Sequence, residues 1–186
     1  MPSFMTHAVV GLALGQASRA GWGADWRFWC MAVFCSVLPD VDALGFRVGI
    51  PYGSVWGHRG LTHSLAFAAL VAPALGSLVR CPLRHRWKPV LLLFVITASH
   101  GVLDAMTSGG LGVAFFAPFD SHRYFLPWRP IRVSPISIRA FLSARGFAVL
   151  RSELLWVWIP AFLLALFLRF GYSSEAGVRR QRAGRT

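Results

Sequence analysis

PVLLLFVITASHGVLDAM, residues 89–106, decides how this chain is read. It opens on an unbroken apolar run, and its length approaches the roughly 20 residues that a helix needs to cross a bilayer. Near its end stand His100 and Asp104. They are i and i+4, so on a helix their side chains share a face. An ionised carboxylate at the centre of a membrane helix costs about 2.5–3.5 kcal/mol even on mild insertion scales. Such a residue reads as functional and demands partners from elsewhere in the chain.

Four further apolar segments flank this one. They run from about Phe4 to Ala17, Trp26 to Leu38, Leu61 to Val79 and Leu154 to Phe170. The last, LLWVWIPAFLLALFLRF, is the cleanest, and its Pro160 is expected to kink the helix without ending it. The whole chain has 186 residues, 55% hydrophobic and 14% charged, with mean hydropathy +0.54. A soluble domain has about 25% charged residues. The expected fold is therefore all-α, a polytopic membrane bundle of four to five membrane helices. An interfacial amphipathic helix is expected from Ile138 on, where Phe141, Leu142 and Leu150 interleave with Arg139, Arg145 and Arg151. The glycine-rich TSGGLGVAFFAPF, residues 107–119, is too short to span and reads as re-entrant or interfacial. One domain is expected over residues 1–171, with a basic, disordered tail over 172–186. The first segment lacks a basic n-region and is interrupted by His7, so it does not read as a cleaved signal peptide.

The net charge is +12. Its basic residues sit in short loops between apolar runs, which favours anionic lipid headgroups over nucleic acid as their partner. If all five segments span, more Lys and Arg fall on the face that carries the C-terminal tail, and the tail is expected in the cytoplasm. The first two segments could instead be short buried helices that do not cross. Cys30, Cys35 and Cys81 form no CxxC pair. They imply neither a disulfide framework nor a zinc finger, and Cys30 and Cys35 read as small core residues.

If the five segments alternate across the membrane, the first and third begin on the face where the second and fourth end. His7, Asp40 and Asp42 of LPDVD, His58 and His63 of HRGLTHS, and His100 and Asp104 then all meet on one face. Asp40 and Asp42 would point the same way on an extended chain. His58 and His63 straddle a helix start, so a turn can fold one toward the other. Imidazole and carboxylate together suit Zn²⁺, Mn²⁺ or Fe²⁺. Seven candidates exceed the needs of one tetrahedral ion and fit a site of two or more ions. Arg59 and Arg123 could stabilise negative charge on a phosphate or carboxylate beside such a centre. Asp120 and His122 stay outside the ligand set.

THAVVG, LPDVD, HRGLTHS, HGVLDAMTSGG and RYFLPWRPIRVSP together resemble the YdjM-type family, from about His7 to Pro135. Its members are described as LexA-binding, inner-membrane-associated metal-dependent hydrolases. That family is itself distantly similar to zinc-dependent phospholipase C and the S1/P1 nucleases, helical enzymes with zinc ions held by His and Asp. The resemblance implies ligand roles for His7, Asp40, Asp42, His58, His63, His100 and Asp104.

The expected function is a metal-dependent hydrolase of the bacterial inner membrane, acting on a phosphoester in a lipid or lipid-linked substrate. Asp40 or Asp42 would bridge the metals or act as base, and zinc is the expected ion. Two rivals belong to other classes. A metal-ion or proton transporter needs access from both faces, and many show paired repeats. Here the ligands crowd one face and no repeat is visible. A non-catalytic protein with a structural metal would close its coordination sphere against water.

Overall fold

Asp25 starts the second apolar helix by accepting a hydrogen bond from the Phe28 amide at 3.2 Å, the usual side-chain cap for an orphan N–H. The computed structural model describes residues 1–20, 25–135 and 138–169. The tail expected to be disordered over 172–186 lies outside them. Within them the chain is helical, with α1 over Phe4–Gly15, α2 over Trp26–Val37, α3 over Leu65–Gly76 and α4 over Trp87–Ala105. A single turn, α5, spans Ile138–Phe141, and α6 starts at Ala144. Among the described residues there are no strands, only isolated bridges pairing Thr107 with Ile131 and Val113 with Tyr124.

Among the described residues, three of the apolar segments make helices long and apolar enough to cross a membrane: Trp26–Val48, Leu83–Ala105 and Ala144–Arg169. The expected four to five is therefore slightly high. Helices α1 and α3 have 12 residues each. At 1.5 Å per residue that is about 18 Å, short of the ~30 Å hydrocarbon core. Helix α3 starts later than expected because Leu61–His63 forms a separate 3₁₀ turn. Ser64 then caps α3 by accepting from the Phe67 amide at 3.0 Å. At the other end of α2, Pro39 leads the chain into a 3₁₀ helix over Leu38–Val48, closed by Gly49 in the left-handed region (φ 79°).

The amphipathic stretch is not a detached interfacial helix. Ser143 caps α6, which continues without a break from Ala144 to Arg169. Its polar turns and the last apolar segment are one element. A widened turn at Leu154–Trp158 precedes Pro160, which lacks the N–H of a regular turn. The helix passes through Pro160, as the sequence suggests.

Helices α1 to α4 pack around Phe28, Ala32, Cys35, Ala72, Leu93 and Ile96, all essentially inaccessible to solvent. Cys35 is a small core residue, whereas Cys30 is exposed and faces outward from the bundle. Leu70, Phe162, Leu163 and Phe167 are all more than half exposed. A surface this apolar suits hydrocarbon and not water. The glycine-rich stretch forms neither helix nor span. It folds as an irregular cover, with the Ala114 amide donating to Arg59 O at 3.0 Å and the Leu65 amide to Phe115 O at 2.9 Å.

Candidate metal centre

Five elements deliver the polar residues to one buried place. Helix α1 brings His7, the 3₁₀ helix after α2 brings Asp40 and Asp42, and the following loop brings His58 and Arg59. The turn before α3 brings His63, and α4 brings His100 and Asp104. Gly101 lets α4 come close: a Cβ there would lie 2.8 Å from the His63 carbonyl oxygen.

His63 is the hub. Its Nε2 lies 3.1 Å from His100 Nε2, 3.7 Å from Asp40 Oδ1 and 3.5 Å from Asp104 Oδ2. His100 Nε2 is 3.3 Å from Asp40 Oδ1. Ligands at the ~2.0–2.1 Å of a tetrahedral zinc ion would lie about 3.4 Å from one another. Asp40, His63, His100 and Asp104 therefore can hold one metal ion between them, and one donor atom from each falls within 4.8 Å of all the others.

The hydrogen bonds assign the tautomers. His100 Nδ1 lies 2.7 Å from the Ser36 carbonyl, an acceptor only, so this nitrogen carries the proton. His63 Nδ1 lies 3.1 Å from Asp42 Oδ2, which fixes its proton in the same way. Both Nε2 atoms then present lone pairs to each other unless a cation lies between them. Burial depresses the His63 pKa, but the contacts with Asp104, Asp40 and Asp42 outweigh it and hold the ring well above the usual histidine range.

His7 stacks on His100 with ring centroids 3.6 Å apart, and its Nε2 lies 3.5 Å from Asp104 Oδ1. Burial, and then the neighbouring His100, push its pKa down to about 4, so it is neutral and able to ligate. Both of its nitrogens lack a hydrogen-bond partner, as do all four carboxylate oxygens of Asp40 and Asp104. Buried polar atoms are nearly always satisfied. Arg59 Nε, which also lacks an aligned hydrogen bond, ion-pairs with Asp104 Oδ2, and the orphans on His7, Asp40 and Asp104 are all atoms able to ligate a metal.

Asp42 departs from the sequence expectation. On a 3₁₀ helix of three residues per turn, i and i+2 diverge, so Asp40 and Asp42 do not point the same way. Asp40 faces the Nε2 side of His63 and Asp42 faces its Nδ1 side. Asp42 also meets His58 Nδ1 at 2.7 Å and accepts from the Thr62 hydroxyl at 2.5 Å and the Arg59 amide at 3.2 Å. Asp42, His58 and His63 form a second group of possible ligands that shares His63 with the first.

Arg59 is completely buried and sits at φ 64°, uncommon for a residue with a side chain. Its Nε lies 2.8 Å from Asp104 Oδ2, close enough to pair but not aligned as a hydrogen bond. Its Nη1 and Nη2 donate to Gly109 O and Thr107 Oγ1, each at 3.0 Å. Arg123 donates to the carbonyls of His58, Tyr52 and Ser54 at 2.9–3.0 Å. Both arginines therefore brace the loop over the cluster. His122 is exposed, and Asp120 accepts from the His122 amide and the Tyr124 hydroxyl, away from the cluster.

Sequence reasoning missed Glu153. It is fully buried, accepts from Ser3 N at 2.5 Å, Ser3 Oγ at 2.6 Å and Thr6 Oγ1 at 2.8 Å, and so clamps the start of α1 beside His7. Trp158 Nε1 donates to the same Thr6 hydroxyl at 2.7 Å. The available signal was an acid within a helix that proves long enough to span.

Three long apolar helices and a buried His/Asp cluster define a helical membrane protein with a candidate metal centre. The family model described as YdjM inner membrane protein matches residues 1–178, and the chain belongs to that family. It is 39% identical over 177 residues to the inner membrane protein YbcI of Escherichia coli strain K12, covering 88% of this chain and 95% of that protein. The chain is thus a protein of the inner membrane. No solved structure matches it significantly.

Proposed function

We propose that this protein is a metal-dependent hydrolase acting on a phosphoester in a lipid or lipid-linked substrate. The observation that carries the reading is the convergence of the Asp40 and Asp104 carboxylate oxygens, which make no hydrogen bond, on the Nε2 atoms of His63 and His100, with His7 Nε2 3.5 Å from Asp104 Oδ1. No cysteine joins the set, as it commonly does in structural zinc sites. The family resemblance points the same way.

In this reading Asp40, His63, His100 and Asp104 hold one ion, and His7 is a fifth ligand within reach. A bound divalent ion supplies Lewis acidity toward the phosphoryl oxygens and lowers the pKa of a coordinated water. The two candidate ligand groups share His63, whose Nδ1 proton is engaged by Asp42, so one ion is the loading these hydrogen bonds support. Asp42 acts from behind, orienting His63 and His58, as outer carboxylates do for metal-bound histidines. Arg59 neutralises part of the carboxylate charge and positions Asp104.

The test is hydrolysis of a fluorogenic phosphodiester lipid by the purified protein in detergent. The expected result is chelator-sensitive turnover, restored by zinc or manganese and lost in Asp104→Ala and His63→Ala. Turnover that survives both substitutions would contradict the proposal.

A further inference from the structure

We propose that a cavity beside the cluster holds one hydrocarbon chain of a membrane lipid, with the phosphoester of that lipid turned toward the metal centre. The inference rests on the hydrolase reading for the second half of that statement, and on the cavity itself for the first.

The cavity has a volume of about 230 Å³ and lies between the start of α1, the 3₁₀ helix after α2, and Ser134, Pro135 and Phe141. Phe4, Ala43, Phe46, Pro135 and Phe141 are among its apolar lining, and His58 contributes an imidazole from the cluster. The Phe46 and His58 rings lie 5.8 Å apart, and His58 in turn bonds Asp42. One part of the wall is therefore the polar site.

Other parts of the wall reach the outside. Phe4 is 66% exposed and Phe46 38% exposed. Val41, Leu44 and Val48, on the same 3₁₀ helix as Phe46, are exposed as well. In a membrane protein such an apolar surface meets acyl chains, so the cavity is continuous with the lipid-facing surface. Its lining is mostly apolar, with Met1, Ser3, Ser134 and His58 as its polar members, so it suits hydrocarbon better than a hydrated ion or a charged peptide, which would lose more hydration than these few groups replace. Its volume is below the ~300–1,000 Å³ of drug-sized pockets, which suits a segment of one chain and leaves a second chain in the bilayer.

The test uses the full chain in nanodiscs and, as probe, a phosphatidylglycerol with a diazirine near the end of one acyl chain. After illumination the expected cross-links fall on the peptides that carry Phe4, Phe46 and Phe141. Ala43→Phe and Ser134→Phe each fill the cavity from a different wall. Each is expected to cut that labelling at least tenfold while metal content stays at the wild-type level. Leu70→Phe, on the outward surface of α3, is expected to change nothing. Labelling that persists in both filled variants, or that spreads evenly to Phe162 and Phe167, would overturn the chain site. Because labelling needs no turnover, the two readings fail separately. A protein that labels in the cavity and hydrolyses no phosphoester contradicts the hydrolase reading alone. Hydrolysis without cavity labelling contradicts the chain site alone.

Discussion

The Nε2 atoms of His63 and His100 face each other at 3.1 Å, while each ring's Nδ1 is engaged by an oxygen, Asp42 Oδ2 for His63 and the Ser36 carbonyl for His100. Two imidazole lone pairs at that distance repel. The arrangement persists only with a cation between them, either a proton on His63 or a metal ion that displaces it.

Metal removal is therefore expected to destabilise the fold. A ligand at 100 times its Kd stabilises the native state by about 2.7 kcal/mol. Stripping the purified protein with chelator should lower its thermal midpoint by several degrees, and zinc should restore it. In His100→Ala the restoration should vanish. A midpoint indifferent to chelator in the wild-type protein would count against the site.

Asp42→Asn keeps the shape of the side chain but removes the charge that fixes the His63 proton. Loss of such an outer carboxylate costs about 10–100-fold in metal affinity. Competition with a chromophoric chelator should show a drop of that size, with binding retained. Complete loss of binding would make Asp42 a direct ligand, as the sequence alone suggests.

Glu153 anchors α1, and with it His7, through its bonds to Ser3 and Thr6. Glu153→Ala leaves those buried donors unpaired, at about 1–3 kcal/mol or more. Thermal unfolding should shift down accordingly. Glu153→Gln retains one acceptor and should recover part of the loss. In Co²⁺-loaded protein, the visible spectrum of Glu153→Ala should differ from wild type because His7 is no longer held beside Asp104. An unchanged spectrum would separate the clamp from the metal centre.

Gly101→Ala places a Cβ within 2.8 Å of the His63 carbonyl, against backbone that cannot rotate away. We expect His63 to be displaced and metal affinity to fall at least tenfold, with helix content by circular dichroism unchanged. Wild-type affinity in this variant would show that the turn at Leu61–His63 yields freely.

Much of this site is legible in the sequence because polar residues stand out against apolar runs. The i, i+4 pair of His100 and Asp104 needs only a helix to share a face, and α4 supplies one. The meeting of His7, Asp40, His63 and His100 follows from the order of the helices along the chain. What is not legible depends on local geometry. Asp40 and Asp42 diverge because Pro39 leads into a 3₁₀ helix and not an extended strand. The turn before Ser64 shortens α3, and α1 is equally short, so three helices and not five reach membrane length. Arg59 reads as a substrate clamp in a linear string. Only the fold shows its guanidinium committed to Asp104, Thr107 and Gly109, a cradle where a Cβ at Gly110 would lie 2.7 Å from Nη1.

The most direct measurement is the metal content of the purified protein by inductively coupled plasma mass spectrometry, beside the double variant His63→Ala/Asp104→Ala. A stoichiometric divalent ion is expected in the wild-type chain and none above the buffer background in the variant. Equal metal in the two proteins, or none in a correctly folded wild type supplied with zinc, would contradict it.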